Sequence, residues 1–569
     1  MKVASNHAQW YVADFETTGI NEYTKTGSTR VWLYSIADKN AKIVNDGSSI
    51  EEFMEWCEEH PQSLIYFHNL RFDGSFILNY LFKHKFEHVD KLLVHSQRGF
   101  STLIGDMGEY YQIKINFASN KQVTIQDSLK IIPLKVKKIA EAFNLPIEKE
   151  VIDYDDYTID DKRLEYVHHD VQIVAMAMKF FRDQGLTKMT IGSNAYHEFM
   201  NNNKHLRWYL PELGRDWLTE WRSAYRGGRS QINPLHENEV LTNVRRYDIN
   251  SMYPYVMATY PMPYGEPIEC DTIGNFEFEL YDIDIDFDLK EGHLPTLLKK
   301  NGLFAKGDSY YISSDSIEHI KISSVDYELL KRHYDIHYIK FNKIYGFRTT
   351  EVMFQDFIHK YYKLKSESKG GLRLVYKLIL NNLYGKFGSN CEGRTKIPYI
   401  GSDDSLEYKY SDIQEMKQYY LPIAIAIVSW AHKLIDDAIL KTGYENFVYC
   451  DTDSVHTLGT LPDSWVDSKE LGKFKLEAIE TKAKYVRQKC YITRDDTQWE
   501  ITCCGMAEAN KEWLIRTYGD NLPDVFKVGL TIDMNEECIA MGLTEHDMKL
   551  LPKQVPGGTI LKPTRFKLL

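Results

Sequence analysis

The stretch Tyr449–His456 reads YCDTDSVH and places two aspartates, Asp451 and Asp453, one residue apart directly after an apolar run. An apolar run that leads into a short polar turn predicts a strand ending in a hairpin. Neighbouring carboxylates repel each other, and burying them is costly unless a cation or hydrogen-bond donors lie close by. We therefore expect a metal site at this turn, completed by a carboxylate from a distant part of the chain.

The composition predicts a folded protein with several domains. The chain has 569 residues, of which 43% are hydrophobic and 26% charged, values typical of globular rather than disordered proteins. Its 69 Lys and Arg against 81 Asp and Glu give a net charge of −12, whereas a protein that coats nucleic acid is usually basic. A nucleic-acid enzyme stays compatible with this charge, because positive residues need only line its channel.

The cysteines and the apolar stretches bear on cellular location. The eight cysteines contain no CxxC pair or other zinc-binding spacing, which predicts a reduced cytoplasmic protein. No charged-then-apolar leader opens the sequence, and the longest apolar stretch, Leu421–Trp430, is too short to span a bilayer. We expect that stretch to be a core helix, and the protein to have no membrane contact.

The first part of the chain alternates predicted strands and helices. Gln9–Glu16 is predicted to be a strand, and Ser49–His60 a helix that begins with a capping box of Ser49 and Glu52. A long helix is predicted over Asp160–Gln184, with an apolar stripe along one face. This pattern indicates an α/β domain.

A group of acidic residues lies within this domain. Asp14 and Glu16 are two apart on the predicted strand, so both project from the same face. Asp73 follows in the segment NLRFDG, and Tyr166 and Asp170 are four apart on the long helix. Carboxylates from three elements could hold two divalent ions, which activate a water and stabilise the leaving oxygen of a phosphodiester.

The helical segment LRLVYKLILNNLYGKFG carries a polar stripe. Lys377, Asn381 and Tyr384 are spaced i, i+4 and i+7 along one face. A lysine there would contact phosphates as a point charge, and a tyrosine would pack on a base or sugar. This face is predicted to border a nucleotide site.

A second acidic group is predicted around the hairpin. Asp248, in RYDINSMYP, is expected at the carboxyl end of a strand that points at a cleft. Together with Asp451 and Asp453 it makes a carboxylate cluster separate from the first. Two metal ions there would bridge a triphosphate and a primer hydroxyl.

Two ordered sets of motifs resemble known enzyme families. DFET, NxxFD and YxxxD resemble, in that order, the three exonuclease motifs of the DEDD 3′–5′ proofreading exonucleases. DxxSMYP, KxxxNNxYG and YCDTDS resemble the polymerase motifs of family B DNA polymerases. The segments YRGG, KCY and the terminal VPGG are similar to the protein-primed branch found in small tailed bacteriophages. The resemblance covers essentially the whole chain.

The exonuclease resemblance implies roles for individual residues. Asp14, Glu16, Asp73 and Asp170 would bind the metals, and Tyr166 would orient the attacking water. A further set would contact DNA near the unpaired 3′ end and the scissile phosphate: His68, Asn69, Phe72, Ser128, Leu129 and Lys149. Plain core packing of Phe72 and Leu129, and a solvated position of Lys149, remain alternatives.

The polymerase resemblance implies a second set of roles. Asp248 and Asp453 would be the main metal ligands together with the Ile249 carbonyl, and Asp451 would support them. Tyr253 would be the steric gate that occupies the space of a ribose 2′-OH. The predicted dNTP pocket consists of Ile249, Tyr253, Lys365, Lys377, Asn381 and Tyr384. Tyr225 and Arg226 are predicted to contact the template, and Lys489 and Tyr491 the primer strand.

Two positions depart from the family pattern. Asn382 stands where the family usually has serine, which keeps a polar group beside the nucleotide site. Arg229 follows YRGG where relatives have an aromatic residue. The resemblance implies a template contact at YRGG and does not extend it to Arg229.

The resemblance also implies the architecture: an RNase H-like 3′–5′ exonuclease domain followed by a right-hand polymerase with two insertions, α/β and α+β in class. The expected division is the exonuclease domain at 1–187, palm at 188–261 and 419–503, a terminal-protein-binding insertion at 262–351, fingers at 352–387, a second insertion for processivity and strand displacement at 388–418, and thumb at 504–569.

The sequence thus predicts a protein-primed, DNA-dependent DNA polymerase that replicates a linear phage genome with proofreading and strand displacement. Two Mg²⁺ per active site are expected, for which Mn²⁺ can substitute. The expected partners are template and primer DNA, dNTPs and a terminal protein that serves as primer; a monomer, or a heterodimer with that protein, would act in the host bacterial cytoplasm.

Three alternatives stay open from the sequence. A DNA-primed family B enzyme would share every motif except those of the protein-primed branch. A glycosyltransferase could use DTD to hold a metal and a nucleotide sugar, although DFET, YVHHD and KxxxNNxYG would then be unexplained. A DNA-binding module with relict acids is disfavoured because all seven carboxylates are present.

Overall fold

A computed structural model describes residues 9–18, 28–145, 147, 157–299, 310–314, 316–402, 405–504, 506 and 508–527. Lys149 and the terminal VPGG segment, both singled out in the sequence, lie outside the described residues. The predicted domain boundaries at 187, 261, 351, 387, 418 and 503 stay predictions.

The amino-terminal part forms a seven-stranded sheet in the order β3-β2-β1-β4-β7-β6-β5, in which β1, β4 and β7 run parallel. Its strands are β1 Trp10–Thr17, β2 Val31–Asp38, β3 Ile43–Gly47, β4 Leu64–Phe67, β5 Gly99–Ile104, β6 Tyr110–Asn116 and β7 Gln122–Asp127. The central strands are buried between helices, as parallel strands generally are.

Four helices accompany this sheet: α1 Ile50–Glu59, α2 Leu70–Lys83, α3 Val136–Phe143 and α4 Asp161–Asp183. The predicted helices around α1 and α4 are confirmed. Ser49 caps α1 by accepting from the Glu52 amide, whereas the Glu52 side chain bonds the Ser48 amide and not that of Ser49. The predicted capping box is therefore wrong in its second half: the acceptor reaches one residue further back.

A five-stranded sheet carries the hairpin. Its strands are, in order, β21 (Phe474–Glu480), β10 (Val244–Ile249), β20 (Ser454–Thr457), β19 (Phe447–Asp451) and β8 (Ser230–Ile232). The elements leading to it are α5 Ile191–Asn202, α6 Arg215–Trp221, β8 Ser230–Ile232, β9 Val240–Leu241, β10 Val244–Ile249 and α7 Met252–Thr259. The strand β10 lies between β20 and β21, both antiparallel to it.

The segment between 262 and 351 forms its own four-stranded sheet, in the order β11-β14-β12-β13. Its elements are β11 Met262–Glu269, β12 Phe278–Leu289, β13 Glu318–Ser323, α8 Ser324–His333 and β14 Tyr334–Thr350. The long β12–β14 ribbon buries Ile283, Ile285 and Phe287 in a separate apolar cluster.

Two helices and a pair of short β-ribbons follow. The predicted helical section at 352–387 is confirmed as α9 Gln355–Glu367 and α10 Gly370–Phe387, and the short strands are β15 Glu392–Gly393, β16 Lys396–Ile400, β17 Leu406–Tyr410 and β18 Gln414–Glu415. The β16–β17 ribbon contacts the first sheet, where the hydroxyls of Tyr110 and Tyr408 form a hydrogen bond.

The remaining described elements complete the molecule. They are α11 Leu421–Thr442, β19 Phe447–Asp451, β20 Ser454–Thr457, β21 Phe474–Glu480, β22 Lys482–Arg487, β23 Cys490–Arg494, β24 Trp499–Cys503, α12 Glu508–Tyr518 and α13 Leu522–Val525. The predicted core helix is confirmed as the start of α11, which continues to Thr442 and is mostly buried. Within the described ranges, no helix is both long and apolar enough to cross a lipid bilayer.

Two candidate metal-dependent active sites

The first carboxylate cluster lies where β1 packs against α4. Asp14 and Glu16, two apart on β1, and Asp170, on α4, each offer a carboxylate oxygen, and these atoms lie within 4.8 Å of one another. Three oxygens at this spacing suit a hard divalent cation, which also removes their mutual repulsion. The predicted convergence of these three acids is confirmed.

Asp73, from α2, is a further buried acid near this cluster. Burial, together with the charges of Glu16 and Asp127, raises the pKa of Asp73 to about 8, against hydrogen bonds from the Phe15 and Asp73 amides. Asp73 is not one of the three acids whose oxygens converge. Because burial is the main cause of this rise and the charges of Glu16 and Asp127 add to it, a cation bound beside Asp73 would favour its ionised form. Sequence reasoning did not single out Asp127.

A cavity of about 140 Å³ opens beside these acids. Its wall combines polar and apolar side chains: Val12, Ala13, Asp14, His68, Val136, Asp170, Val171 and Val174. The valines contribute apolar surface to this cavity, and Asp14 and Asp170 contribute carboxylates. Such a lining can hold a sugar ring with its phosphate directed toward the acids.

His68, Asn69 and Ser128 form one connected group near the cavity. The His68 ring nitrogens lie 2.9 Å from the Ser128 Oγ and 2.7 Å from the Leu134 carbonyl oxygen, so the ring is fixed. Asn69 adopts a left-handed backbone with φ 75°, and its amide donates to Asp127 Oδ1 at 3.0 Å. These contacts order the loop that enters α2.

The other predicted contacts of this site differ in exposure. Phe72 is 48% exposed, which rules out the alternative that it is plain core. Leu129 is half-buried, and Tyr166 is almost fully buried on α4, one turn before Asp170. His168, on the same helix, bonds Asp46 Oδ1 at 2.9 Å. That histidine therefore pairs with an aspartate on the helix flank.

The second carboxylate cluster forms where β10 meets the β19–β20 hairpin. Asp248 pairs with Ser454 across the sheet, and the Ile249 amide donates to the Asp453 carbonyl at 2.9 Å. This register brings Asp248 beside Asp453 although they are far apart in sequence. The predicted meeting of strand and hairpin is confirmed.

The residues Asp451–Asp453, which we call the aspartate turn, have a strained backbone. Thr452 has φ 62°, which a β-branched residue rarely adopts, and the Asp453 amide donates to the Asp451 carbonyl at 2.8 Å. The Thr452 amide donates to the Arg229 carbonyl at 2.7 Å. Tertiary contacts thus hold a conformation that the local sequence disfavours.

The electrostatics of the second cluster call for a cation. Burial, then the charges of Asp453 and Glu477, raise the pKa of Asp248 to about 7, while Lys475 and Lys377 oppose the rise. Burial and the charges of Asp451 and Glu477 also raise the pKa of Asp453. Two carboxyls perturbed in this way are stabilised as anions when divalent ions bind between them.

Glu477 is a member of this site that sequence reasoning missed. It lies on β21, next to β10, and its charge acts on both Asp248 and Asp453. The available signal was the alternation in KLEAIE, which places every second side chain on one face of the sheet. Only the strand order shows which face that is.

Asp451 differs from Asp453 in having a lysine as its direct ion-pair partner. Lys489 Nζ lies 2.9 Å from both carboxylate oxygens of Asp451, so this charge is already compensated. Tyr491, the other predicted primer contact, is half-buried and packs on Tyr449 and Tyr485 with ring centroids 5.2 and 5.1 Å away.

The polar stripe of α10 borders the second cluster. Lys377 and Asn381 are exposed and Tyr384 is half-buried, while the opposite face of the helix is core. The charge of Lys377 reaches Asp248 and Asp453. The Tyr384 ring stacks on Tyr253 with centroids 3.8 Å apart and an interplanar angle of 26°.

Cations gather beside this stack. Lys365 Nζ donates to Ser251 Oγ at 2.9 Å and lies 4.4 Å from the Tyr362 ring centroid. Burial and the charges of Arg373 and Lys377 lower the pKa of Lys365 to about 8. Cations that destabilise one another in this way favour a bound anion such as a triphosphate.

The two residues of YRGG predicted to contact template are placed differently. Tyr225 is half-buried beside Gly388, with the Arg222 guanidinium 5.0 Å from its ring centroid. Arg226 is only 8% exposed and donates to the carbonyls of Leu298 at 3.3 Å and Lys321 at 3.0 Å. Here Arg226 holds the segment 262–351 against the loop, and a template contact by its side chain stays a prediction.

Known proteins resemble this chain over almost its whole length. A family model described as "DNA polymerase type B, organellar and viral" matches residues 59–158 and 154–470. The DNA polymerases of Bacillus phages Nf and phi29 are each 34% identical, over 98% of this chain and 99% and 98% of their own lengths. The DNA polymerase of Streptococcus phage Cp-1 is 30% identical over 98% of both chains.

The fold is also similar to that of a solved enzyme. Phi29 DNA polymerase in complex with primer-template DNA superimposes with a TM-score of 0.85 at 32% identity, covering 99% of this chain and all of the other. A ternary complex of the same enzyme with primer-template DNA and incoming nucleotide gives a TM-score of 0.83.

Proposed function

This chain belongs to the type B DNA polymerases of organelles and viruses, and on that premise we propose that it starts DNA synthesis on a protein primer and proofreads its product. The chain is a DNA polymerase, and enzymes of this family use divalent metal ions. Its relatives come from bacteriophages, and phi29 polymerase has been solved with primer-template DNA and with incoming nucleotides. DNA and dNTPs are accordingly its substrates.

The polymerase role of the second cluster is carried by one observation: Asp248 and Asp453 lie together beside the polar face of α10. We assign the metal ions to Asp248, Asp453 and the Ile249 carbonyl, with Mg²⁺ as the natural ion and Mn²⁺ as a substitute. Ions bound there would neutralise the charge that develops between a primer oxygen and a triphosphate. The raised pKa of Asp248 supports this assignment, because the acid alone binds a proton near neutrality.

The protein's own side chains would then position the nucleotide. Lys365 and Lys377 neutralise the phosphates, while Asn381 and Tyr384 face the base and sugar from α10. The stack of Tyr253 on Tyr384 fixes the gate ring, so that a ribose 2′-OH would collide with it. Lys489 and Tyr491 hold the primer strand, and Tyr225 lies where the template would pass.

The proofreading role rests on the convergence of Asp14, Glu16 and Asp170. These acids and Asp73 would hold two ions, which supply the hydroxide and stabilise the leaving oxygen. Tyr166 would orient the water from the same helix as Asp170. His68, Asn69, Phe72, Ser128 and Leu129 would hold the unpaired 3′ end, and the neighbouring cavity is of a size to take its sugar.

Protein priming is supported by the added β-sheet of the segment 262–351. Along the chain, this sheet and α8 follow the strand that carries Asp248 and precede the fingers helices α9 and α10. A surface beside the polymerase site is where a priming protein must sit for its hydroxyl to reach the metals. The same proposal includes the predicted domain division, with insertions at 262–351 and 388–418. It also includes action in the host bacterial cytoplasm.

The decisive experiment tests the primer. An Asp14→Ala, Asp170→Ala variant, which would leave products undegraded, is incubated with labelled dNTP, Mg²⁺ and the candidate terminal protein from the same phage genome. We expect labelled nucleotide covalently bound to that protein, and none with an added Asp453→Asn substitution. Extension of a DNA primer without any labelled protein would instead establish a DNA-primed enzyme.

A further inference from the structure

Arg229, the residue that follows YRGG, has a fully buried side chain. It is 1% exposed, and its guanidinium donates to Asp436 Oδ1 at 3.0 Å and to Gln231 Oε1 at 3.0 and 3.1 Å. A buried cation is tolerated only when its charge and its donors are satisfied. The Asp436 carboxylate, on α11 and also fully buried, supplies that compensation.

The backbone of Arg229 contacts the polymerase site directly. Its carbonyl accepts the Thr452 amide at 2.7 Å, in the middle of the aspartate turn. The next residue, Ser230, pairs with Asp451 across β8 and β19. Because Thr452 has a strained φ of 62°, the turn depends on this external acceptor.

Asp436 connects Arg229 to the segment 262–351. Its second oxygen, Oδ2, accepts from Arg332 Nη1 at 2.7 Å and lies 3.0 Å from His333 Nε2. Both residues are at the end of α8, and Arg332 also bonds Asp437 at 3.0 Å. Charged hydrogen bonds therefore run from α8 through Asp436 to the Arg229 guanidinium, and the backbone hydrogen bond of Arg229 continues this path to the aspartate turn.

We infer that Arg229 is a positioning residue: through Asp436 it fixes the aspartate turn relative to α8, and so couples the segment 262–351 to the metal-binding geometry of the polymerase site. This inference rests on the proposed function, because it takes the aspartate turn to hold the polymerase metals. It does not involve the first carboxylate cluster, whose acids lie on β1, α2 and α4.

The first test replaces Arg229 alone. In Arg229→Gln the Asp436 carboxylate keeps Arg332 and His333, so the buried acid stays compensated and the chain should fold. We expect the Mg²⁺ concentration for half-maximal primer extension to rise and kcat to fall about tenfold, since a small misplacement of reacting groups costs one to two orders of magnitude. Degradation of single-stranded DNA should stay within about twofold, because only the aspartate turn is affected.

The conservative variant Arg229→Lys provides the rescue. It keeps the charge beside Asp436 and should return the Mg²⁺ requirement to within about threefold of the unmodified chain. Equal losses of extension and exonuclease activity in Arg229→Gln would indicate general destabilisation and would overturn the inference. An unchanged Mg²⁺ requirement would do so as well.

The second test addresses the coupling to α8. Arg332→Gln removes one donor from Asp436. Lys331→Gln makes the same charge change one residue earlier, where the lysine pairs with Glu328 and lies 5.0 Å from the Tyr327 ring centroid. We expect Arg332→Gln, but not Lys331→Gln, to raise the Mg²⁺ requirement of extension. Identical behaviour of the two variants would overturn the coupling. If the unmodified chain failed to extend a DNA primer at all, the proposed function itself would be wrong.

Discussion

Lys489 Nζ lies 2.9 Å from each carboxylate oxygen of Asp451, whereas Asp453, two residues on, shares its pocket with Asp248. The two aspartates of the same turn are thus held for different purposes. The charge of Asp451 is compensated by Lys489, and Asp453, whose pKa is raised by burial and by neighbouring acids, is the one to which we propose that a metal ion binds.

This difference predicts unequal effects of matched substitutions. Asp453→Asn should lower primer extension by about a thousandfold, since a lost metal ligand forfeits several kcal/mol of charge stabilisation. Asp451→Asn should lower primer extension by about tenfold to a hundredfold, because Asp451 supports the metal ligands and is not one of the main ligands itself. Steady-state extension assays measure both, with single-stranded DNA degradation as the folding control. Equal losses would contradict the assignment.

The exonuclease site should be separable from the polymerase site. We expect Asp14→Ala with Asp170→Ala to reduce degradation of single-stranded DNA by about a thousandfold or more, because three converging oxygens lose two members. Extension of a paired primer should continue. Asp46→Asn is the control. It removes a carboxylate of β3 that bonds His168 of the same helix, and it should leave degradation within about twofold.

The steric gate can be tested at the Tyr253 ring. Tyr253→Val opens the space beside the Tyr384 ring and should raise incorporation of ribonucleotides relative to deoxynucleotides by about a hundredfold, the scale of discrimination that pocket shape provides. Tyr253→Phe keeps the ring and should change the ratio by less than about threefold. Competition assays with paired rNTP and dNTP give the ratio directly.

Lys365 should make nucleotide binding depend on pH. Because burial and two neighbouring cations lower its pKa to about 8, its ammonium is fully charged at pH 7 and lost as the pH rises through 8 to 9. The KM for dNTP should therefore increase above pH 8, by up to about tenfold per pH unit. Lys365→Arg, whose guanidinium stays charged, should flatten this rise; a rise of the same steepness in both proteins would assign the effect to another group.

Alanine substitutions at the two glycines of YRGG should differ sharply in their effect on primer extension. A Cβ at Gly228 would lie 2.8 Å from Thr452 Oγ1 and 3.0 Å from its Cγ2, inside the aspartate turn, whereas one at Gly227 would meet nothing within 4 Å. Gly228→Ala should therefore impair extension by about tenfold or more through a displaced turn. Gly227→Ala should leave it nearly unchanged. Exonuclease activity should survive in both.

The local pattern of the sequence predicted most of the elements around the sites. The long helix at 161–183, the hairpin after Tyr449 and the polar stripe of α10 all follow from periodicity within one segment, and each was found where expected. Such features depend on neighbours a few residues away, which a single sequence displays. The order of motifs added the family, because it fixes which chemical groups occur and in what succession.

Residues defined by the partner strand or helix could not be predicted in the same way. Glu477 and Asp127 enter the electrostatics of the two clusters only because β21 lies beside β10 and β7 beside α2. Arg226, expected on the template, is turned into the protein, where its guanidinium donates hydrogen bonds to the carbonyls of Leu298 and Lys321. None of these neighbours is visible from spacing along the chain.

The sequence by itself therefore determined the chemistry: seven carboxylates in two groups, a lysine and tyrosine stripe, and the family to which they belong. The tertiary structure decided the partner of each charged group. It pairs Asp451 with Lys489, places Asp453 beside Asp248, and buries Arg229 between Asp436 and the aspartate turn. The physical reason is that a carboxylate's charge state and a cation's partner depend on burial and on atoms a few ångströms away. Strand order and register bring those atoms together from distant parts of the chain.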